Sequence, residues 1–416
     1  MQLEHPAAAL GNPAAAVHAG SWRQALRHAL RLYVAHVTVL IVLAAAVSSQ
    51  YPRTPIEQQI AVWPPSAPIT TWLDRVVLRS IERYDVYWYM GIAESGYGIK
   101  VGDTAFHPLY PLLGGAVGRL LGAHYGLGLW LVSQVCCVAM LVMFYRLVHR
   151  EYDLPTAGRA TLLLMCSPLG FAFLLPYTES LLLLSILGAV LAAGHGRWLL
   201  AGCCGAAAVL TKQPGAIVVL PMLYELWQRE GANLRAGRVR GTLHGLAGVA
   251  LIPLGLAGWL VYRATLGDVA FDWSQPQTMI TAVLVTPSYS DVWGLSFNWP
   301  WVNAGYAFSQ AIQRPNLYNA INVLVLVTIL VMIGFVIWRQ RDGAAIFAVV
   351  ITLLSLSTIP PTLIFVAIRR FTIIYPIFIQ LALWTRRRTV LLLIVAIQGT
   401  LWLLIGTLYV RHAFVL

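Results

Sequence analysis

This 416-residue sequence predicts an all-α polytopic membrane protein, and three observations predict it. Hydrophobic residues make up 59% of the chain and charged ones only 11%, against about 25% charged in ordinary soluble domains. Apolar runs close to the roughly 20 residues needed to cross a bilayer recur along its length. Short arginine clusters separate those runs, which is how membrane orientation is encoded. Such a composition excludes a water-soluble globular enzyme and a disordered chain. The net charge of +12 would suggest nucleic acid in a soluble protein. No basic patch with interleaved aromatics lies on a soluble face, so no nucleic-acid partner is expected.

Residues 1–29 form an Ala-rich cytoplasmic segment without a cleavable signal, and 30–416 a single integral membrane domain. The run Leu30 to Val47, with Arg23 and Arg27 before it and Arg31 at its start, reads as an uncleaved signal-anchor with its N-terminus inside. The first outer loop, 48–104, holds five basic and six acidic residues and is nearly neutral. Further apolar runs follow at about 127–147, 160–177, 179–194, 198–211, 214–228, 242–263, 317–338, 344–366, 371–385 and 389–410. The expectation is therefore about 11 transmembrane helices.

Alternating the runs from inside to outside places 16 basic and six acidic residues on the cytoplasmic side, against 12 and 10 outside. That split, +10 against +2, follows the positive-inside trend, with Arg386, Arg387 and Arg388 a purely topological run. One segment, Phe106 to Gly122, breaks the parity. It is apolar but contains Pro108, Pro111, four glycines and Arg119, so a re-entrant segment or half-helix is expected near 106–122. Lys212-Gln213-Pro214-Gly215 splits the 198–211 and 214–228 runs into a broken hairpin for the same reason. The five cysteines lie inside apolar stretches without metal-ligand spacing and read as small buried hydrophobes.

Candidate chemistry concentrates in the first outer loop. Asp85 stands among Tyr84, Tyr87, Trp88 and Tyr89. An interfacial aromatic belt accounts for the rings, but not for the carboxylate. Those neighbours would desolvate it and raise its pKa, as a general base requires. Glu179 follows Pro176 at a helix start, where a carboxylate complements the dipole. Ionisable residues at the edge of a membrane segment are functional candidates all the same. Lys212 is one of two lysines and sits between apolar runs. Arg369 and Arg370 fall on the outer side against the charge trend, which points to an anionic ligand.

The motifs resemble those of bacterial mannosyltransferases related to the PIG-V family, membrane glycosyltransferases of GT-C type. The resemblance rests on Tyr84-Asp85 with Tyr87-Trp88-Tyr89, Ile92-Ala93-Glu94, Gly96-Tyr97 and the block Phe106-His107-Pro108-Leu109-Tyr110-Pro111. It continues through Pro176-Tyr177-Thr178-Glu179, Thr211-Lys212-Gln213-Pro214-Gly215, and Arg369-Arg370-Phe371 with Tyr375-Pro376. It covers roughly residues 80–225 well and the rest loosely. The chain departs from the family pattern at Tyr84, at His107, at Lys212 with Gln213 inserted, and at Phe371, while keeping a charge at each basic site.

The resemblance implies a polyprenyl- or dolichyl-phosphate sugar donor, typically of mannose, used on the outer face with inversion. Asp85 is then the catalytic base, and Glu94, His107, Tyr110, Tyr177, Glu179, Lys212, Arg369 and Arg370 the substrate-binding candidates, with Lys212 and Arg370 the pair expected to hold the lipid phosphate. The chemistry needs one base for the acceptor hydroxyl and cations for the departing phosphate, rather than a general acid. Partners are the donor lipid, a glycan or glycolipid acceptor and membrane lipids. No cofactor and no metal site is expected, and a divalent cation is left open. Alternatives are a GT-C transferase using another lipid-linked sugar, and a transporter or flippase. The latter calls for ionisable residues at mid-helix and inverted repeats, and neither is found.

Overall fold

The computed structural model describes residues 22–48, 73–268, 297–340, 342–358 and 368–411. Most of the expected N-terminal segment, the first part of the outer loop (49–72), Arg341 and the end of the 344–366 run lie outside them. Every regular element among the described residues is helical.

Helix α1 spans Trp22–Ser48 and so begins eight residues before the expected run. Alanine and arginine are strong helix formers, so the basic turn is helical too. After short turns at 73–81 come α2 (Asp85–Ser95), α3 (Leu109–Leu120) and α4 (Tyr125–Glu151). Gly96, at φ +81°, ends α2 in a backbone region that favours glycine. The 12 residues of α3 make about 18 Å of helix, short of the roughly 30 Å hydrocarbon core. It packs antiparallel on the first turns of α4. A Cβ on Gly128 would stand 2.4 Å from the Gly114 carbonyl oxygen, so this approach requires glycine.

The 160–177 run does not form one helix. α5 (Leu154–Cys166) opens on Asp153, whose side chain accepts the Thr156 amide at 2.8 Å. It stops before Pro168, because the residue preceding a proline is pushed out of helical conformation. A 3-10 turn at Gly170–Leu174 carries the chain to Pro176. α6 (Glu179–Ala193) and α7 (Trp198–Thr211) follow. Then a 3-10 turn over Gln213–Val218 leads into α8 (Val219–Arg235), so the hairpin is broken where the proline and glycine fall. α9 (Arg240–Thr265) packs on α7 through small residues, the Gly202 position lying against the Gly248 carbonyl. α10 (Pro300–Gln313) was not expected from apolar runs. α11 (Leu317–Arg339), α12 (Gly343–Thr358), α13 (Tyr375–Trp384) and α14 (Arg388–Val410) complete the bundle.

Among the described residues, five helices are long and apolar enough to cross a membrane: α1, α4, α9, α11 and α14. Four more, α6, α7, α12 and α13, are apolar but only 10–17 residues long. These lengths do not establish a count of eleven spans. Cys203 is exposed and Cys204 partly so, unlike the three other cysteines; the surface of such a bundle is itself apolar.

The bundle has two distinct ends. At one, Arg229 donates to the Gly194 carbonyl and Arg159 to that of Ala382 at 3.0 Å, bringing the arginine-rich loops together. α4 and α14 lead from this end to the other. There Arg83 Nη2 donates to the Val410 carbonyl at 3.3 Å and the Tyr409 hydroxyl to Ile81 at 3.0 Å. The motif-bearing segments meet at that second end.

Candidate active site

Four segments distant in sequence contribute one charged side chain each. Asp85 is the first residue of α2, where a carboxylate complements the helix dipole. Tyr84 before it holds φ +51°, a conformation costing on the order of 1–3 kcal/mol for a bulky residue. That turn starts α2 at Asp85 and sends the Tyr84 ring onto Tyr409, 5.7 Å between centroids. Glu179 opens α6, Lys212 follows the last residue of α7, and Arg369 lies in the turn 368–371 before α13.

The four form a chain of ion pairs. Arg369 Nη2 donates to Asp85 Oδ2 at 2.7 Å, and its Nε faces Glu179 Oε1 at 3.3 Å. Lys212 Nζ donates to the same Glu179 oxygen at 2.9 Å. The guanidinium also lies over the Tyr177 ring, 5.0 Å from its centroid. Two atoms stay buried with no hydrogen-bond partner among the described residues: Arg369 Nη1 and Glu179 Oε2. An incoming phosphate would satisfy Arg369 Nη1, a donor whose isolation costs roughly 1–3 kcal/mol. Burial lowers the Lys212 pKa, although Glu179 beside it acts in the opposite direction.

The surroundings of Asp85 differ from the sequence expectation. Of its aromatic neighbours, Tyr84, Trp88 and Tyr89 pack on other rings. Trp88 stacks on Phe106 at 5.5 Å, and Tyr89 meets Phe106, Tyr110 and Tyr177 edge-on. What faces the carboxylate is Arg369, so a salt bridge takes the place of an apolar sleeve.

The other candidates stand at varying remove. Tyr177 is buried under Arg369, and its hydroxyl donates to the Arg83 carbonyl at 3.3 Å. Tyr110 is fully buried behind Tyr89, with its hydroxyl on Leu129 O at 3.0 Å and Ser133 Oγ at 2.8 Å. His107 is buried; its Nδ1 bonds to the Val209 carbonyl at 2.5 Å, near the α7 end that presents Lys212. Burial lowers its pKa to about 4, against the opposing effect of that carbonyl. Glu94 lies nine residues beyond Asp85 on α2, about 13 Å along the axis, outside the ion-pair chain. Arg370, expected to hold the phosphate with Lys212, donates from Nη1 to Thr358 Oγ1 at 2.7 Å, while the guanidinium that joins the ion-pair chain is that of Arg369.

Sequence reasoning passed over three supports. Asp103 is buried, and its Oδ2 accepts the amides of Gly98, Ile99 and Lys100, which fixes the loop after α2. Gly96 and Gly98 just upstream were the available signal. Arg83 and Tyr409 tie the start of the site to the last turn of α14, and no local pattern marks either one. Among the described residues no group of three or more His, Cys, Asp or Glu side chains is placed to hold a metal ion.

Among the described residues, an all-helical bundle gathers two carboxylates and two cations at one end, a charged cluster beside apolar helices. Residues 106–254 match the family model described as dolichyl-phosphate-mannose-protein mannosyltransferase. The matched stretch contains His107, Tyr110, Tyr177, Glu179 and Lys212, but neither Asp85 nor Arg369. The chain is thus similar to that family over a minority of its length, and the match supports an integral membrane glycosyltransferase of GT-C mannosyltransferase type. It does not separate a PIG-V relationship from others of that type. No curated protein matches the chain.

Proposed function

We propose that the protein transfers a sugar, with mannose the leading candidate, from a polyprenyl-phosphate donor to a glycan or lipid acceptor. The reaction takes place on the outer face of the cell membrane and inverts the anomeric carbon. One observation carries the proposal: Asp85 stands 2.7 Å from Arg369, which Glu179 joins to Lys212. A base and two cations within one small cluster are what this transfer needs. The description of the matched family, which names a dolichyl-phosphate-mannose donor, supports a lipid-linked sugar.

In this reading Lys212 and Arg369 hold the phosphate. The acceptor oxygen attacks the anomeric carbon from the face opposite the phosphate, and the carbon–oxygen bond to phosphate breaks. The hydroxyl proton passes to Asp85, and the lipid phosphate leaves with one more negative charge. The two cations stabilise that charge as it grows, in a site where water screens little. Tyr177 supports the guanidinium from beneath, and His107 and Tyr110 stiffen the wall behind it.

The test supplies radiolabelled polyprenyl-phosphate mannose to membranes with and without the protein and identifies the labelled product. Parallel arms carry lipid-linked glucose and arabinose. Transfer from one donor, abolished by Asp85→Asn, is the expected result. Transfer from none of them, with the protein correctly inserted, rejects the proposal.

A further inference from the structure

Among the described residues, Glu179 is the one carboxylate that touches both cations of the site. Its Oε1 takes Lys212 Nζ at 2.9 Å and faces Arg369 Nε at 3.3 Å, whereas Asp85 meets only the Nη2 end of Arg369. The two carboxylates also differ in access. Glu179 is 2% exposed, Asp85 15% and Lys212 26%, so a ligand arriving from solvent meets Asp85 and Lys212 before Glu179. Glu179 sits on the first turn of α6, where the helix dipole favours its charge.

Its grip on Arg369 has a geometric consequence. Held through Nε, the guanidinium keeps its terminal fork for other partners. Nη2 is on Asp85, and Nη1 is buried with no partner among the described residues. The fork is the part of arginine that matches phosphate oxygens two at a time. Without a shared carboxylate, Lys212 and Arg369 would repel each other at close range in a poorly screened site. With it, the three groups carry a net charge of one positive unit, so the two cations stay together and still attract a phosphate anion.

We propose that Glu179 is a positioning residue that binds no substrate and clasps Lys212 and Arg369 into a single two-cation anchor for a lipid monophosphate, leaving Asp85 as the carboxylate that phosphate displaces from Arg369. The proposal rests on the reading of the donor as a lipid phosphate. It departs from the expectation drawn from the sequence in removing Glu179 from the substrate contacts.

The experiment measures binding of polyprenyl monophosphate, and of polyprenol lacking the phosphate, to the purified full-length protein in detergent. Wild type is compared with Glu179→Gln, Lys212→Gln and the double variant. Each single change should weaken monophosphate binding roughly 10- to 100-fold, the range of one charge-assisted hydrogen bond. The double variant should be no weaker than the worse single one, because both remove the same anchor. Polyprenol binding should be unchanged throughout.

The anchor is overturned if the two losses multiply, if Glu179→Gln binds monophosphate like wild type, if polyprenol binding falls in parallel, or if wild type binds no monophosphate. Should Glu179→Gln fail to insert, Glu179→Asp runs the same cycle, since one fewer methylene cannot span both cations. Transfer is a separate measurement. A wild type that shows this binding pattern yet moves no sugar supports the anchor and rejects the proposed reaction. Multiplying losses in a protein that does transfer sugar reject the anchor alone.

Discussion

Replacing Asp85 by Asn separates the two duties that the structure gives this carboxylate. The side chain keeps its size and loses both its proton-accepting capacity and its charge. Loss of a positioned base costs about 10²- to 10⁴-fold in rate, or roughly 3–5 kcal/mol of barrier. The second effect runs the other way. Asp85 occupies Arg369 Nη2 at 2.7 Å, so in the resting protein it competes with any phosphate for that nitrogen. The pair is largely buried, at 15% and 13% exposure, and the cost of desolvating both charges cancels most of their attraction, leaving a net worth on the order of 1 kcal/mol. Removing that competitor should therefore tighten donor binding by about fivefold. Arg369 retains Glu179, so the fold should lose little.

The assay is steady-state transfer and donor binding on purified Asp85→Asn, with Glu94→Gln as comparator. Turnover should fall by the full range while the donor dissociation constant drops or holds. Glu94→Gln should stay within a few-fold of wild type, because its carboxylate stands about 13 Å along α2 from the cluster. The reasoning fails if Asp85→Asn keeps more than about a tenth of the rate, well above the remainder expected after loss of a base. It also fails if donor binding weakens along with turnover.

The two neighbouring arginines should behave differently: Arg369→Gln should weaken donor binding roughly 10- to 100-fold, and Arg370→Gln only a few-fold, since Arg370 bonds to Thr358 instead. Equal losses in donor binding would contradict this placement. Tyr409→Phe should lower the thermal midpoint, because it leaves the buried Ile81 carbonyl without its 3.0 Å donor at a cost of about 1–3 kcal/mol. An unchanged midpoint would mean that α14 does not clamp the site. His107, its pKa lowered to about 4, binds fewer protons folded than unfolded between about 4 and 6.5, so its share of stability is complete above 6.5 and lost on acidification towards 4. Thermal midpoints of wild type and His107→Gln, measured across that pH range in detergent, should converge as pH falls; parallel curves would refute it.

The sequence by itself determined where the chain is apolar, where it breaks and which charges are out of place. Apolar runs mark helices because backbone polar groups in a hydrocarbon environment must bond within their own segment. Prolines mark the breaks after α5 and before α8 because they exclude the helical continuation. Asp85, Glu179, Lys212 and the Arg369–Arg370 pair stood out because charge beside apolar runs is costly enough to need a reason. What remained illegible was pairing. Asp85 and Arg369 are 284 positions apart, and no periodicity relates them. Which of two adjacent arginines faces the cluster depends on the rotation of a four-residue turn, set by the packing of α13 behind it. The surroundings of Asp85 were likewise a tertiary matter, since local sequence shows its aromatic neighbours but not the guanidinium that reaches it from the far end of the chain. The clamp of Arg83 and Tyr409 exists only because α14 returns to the start of α2, a contact between chain regions whose local sequences do not refer to each other.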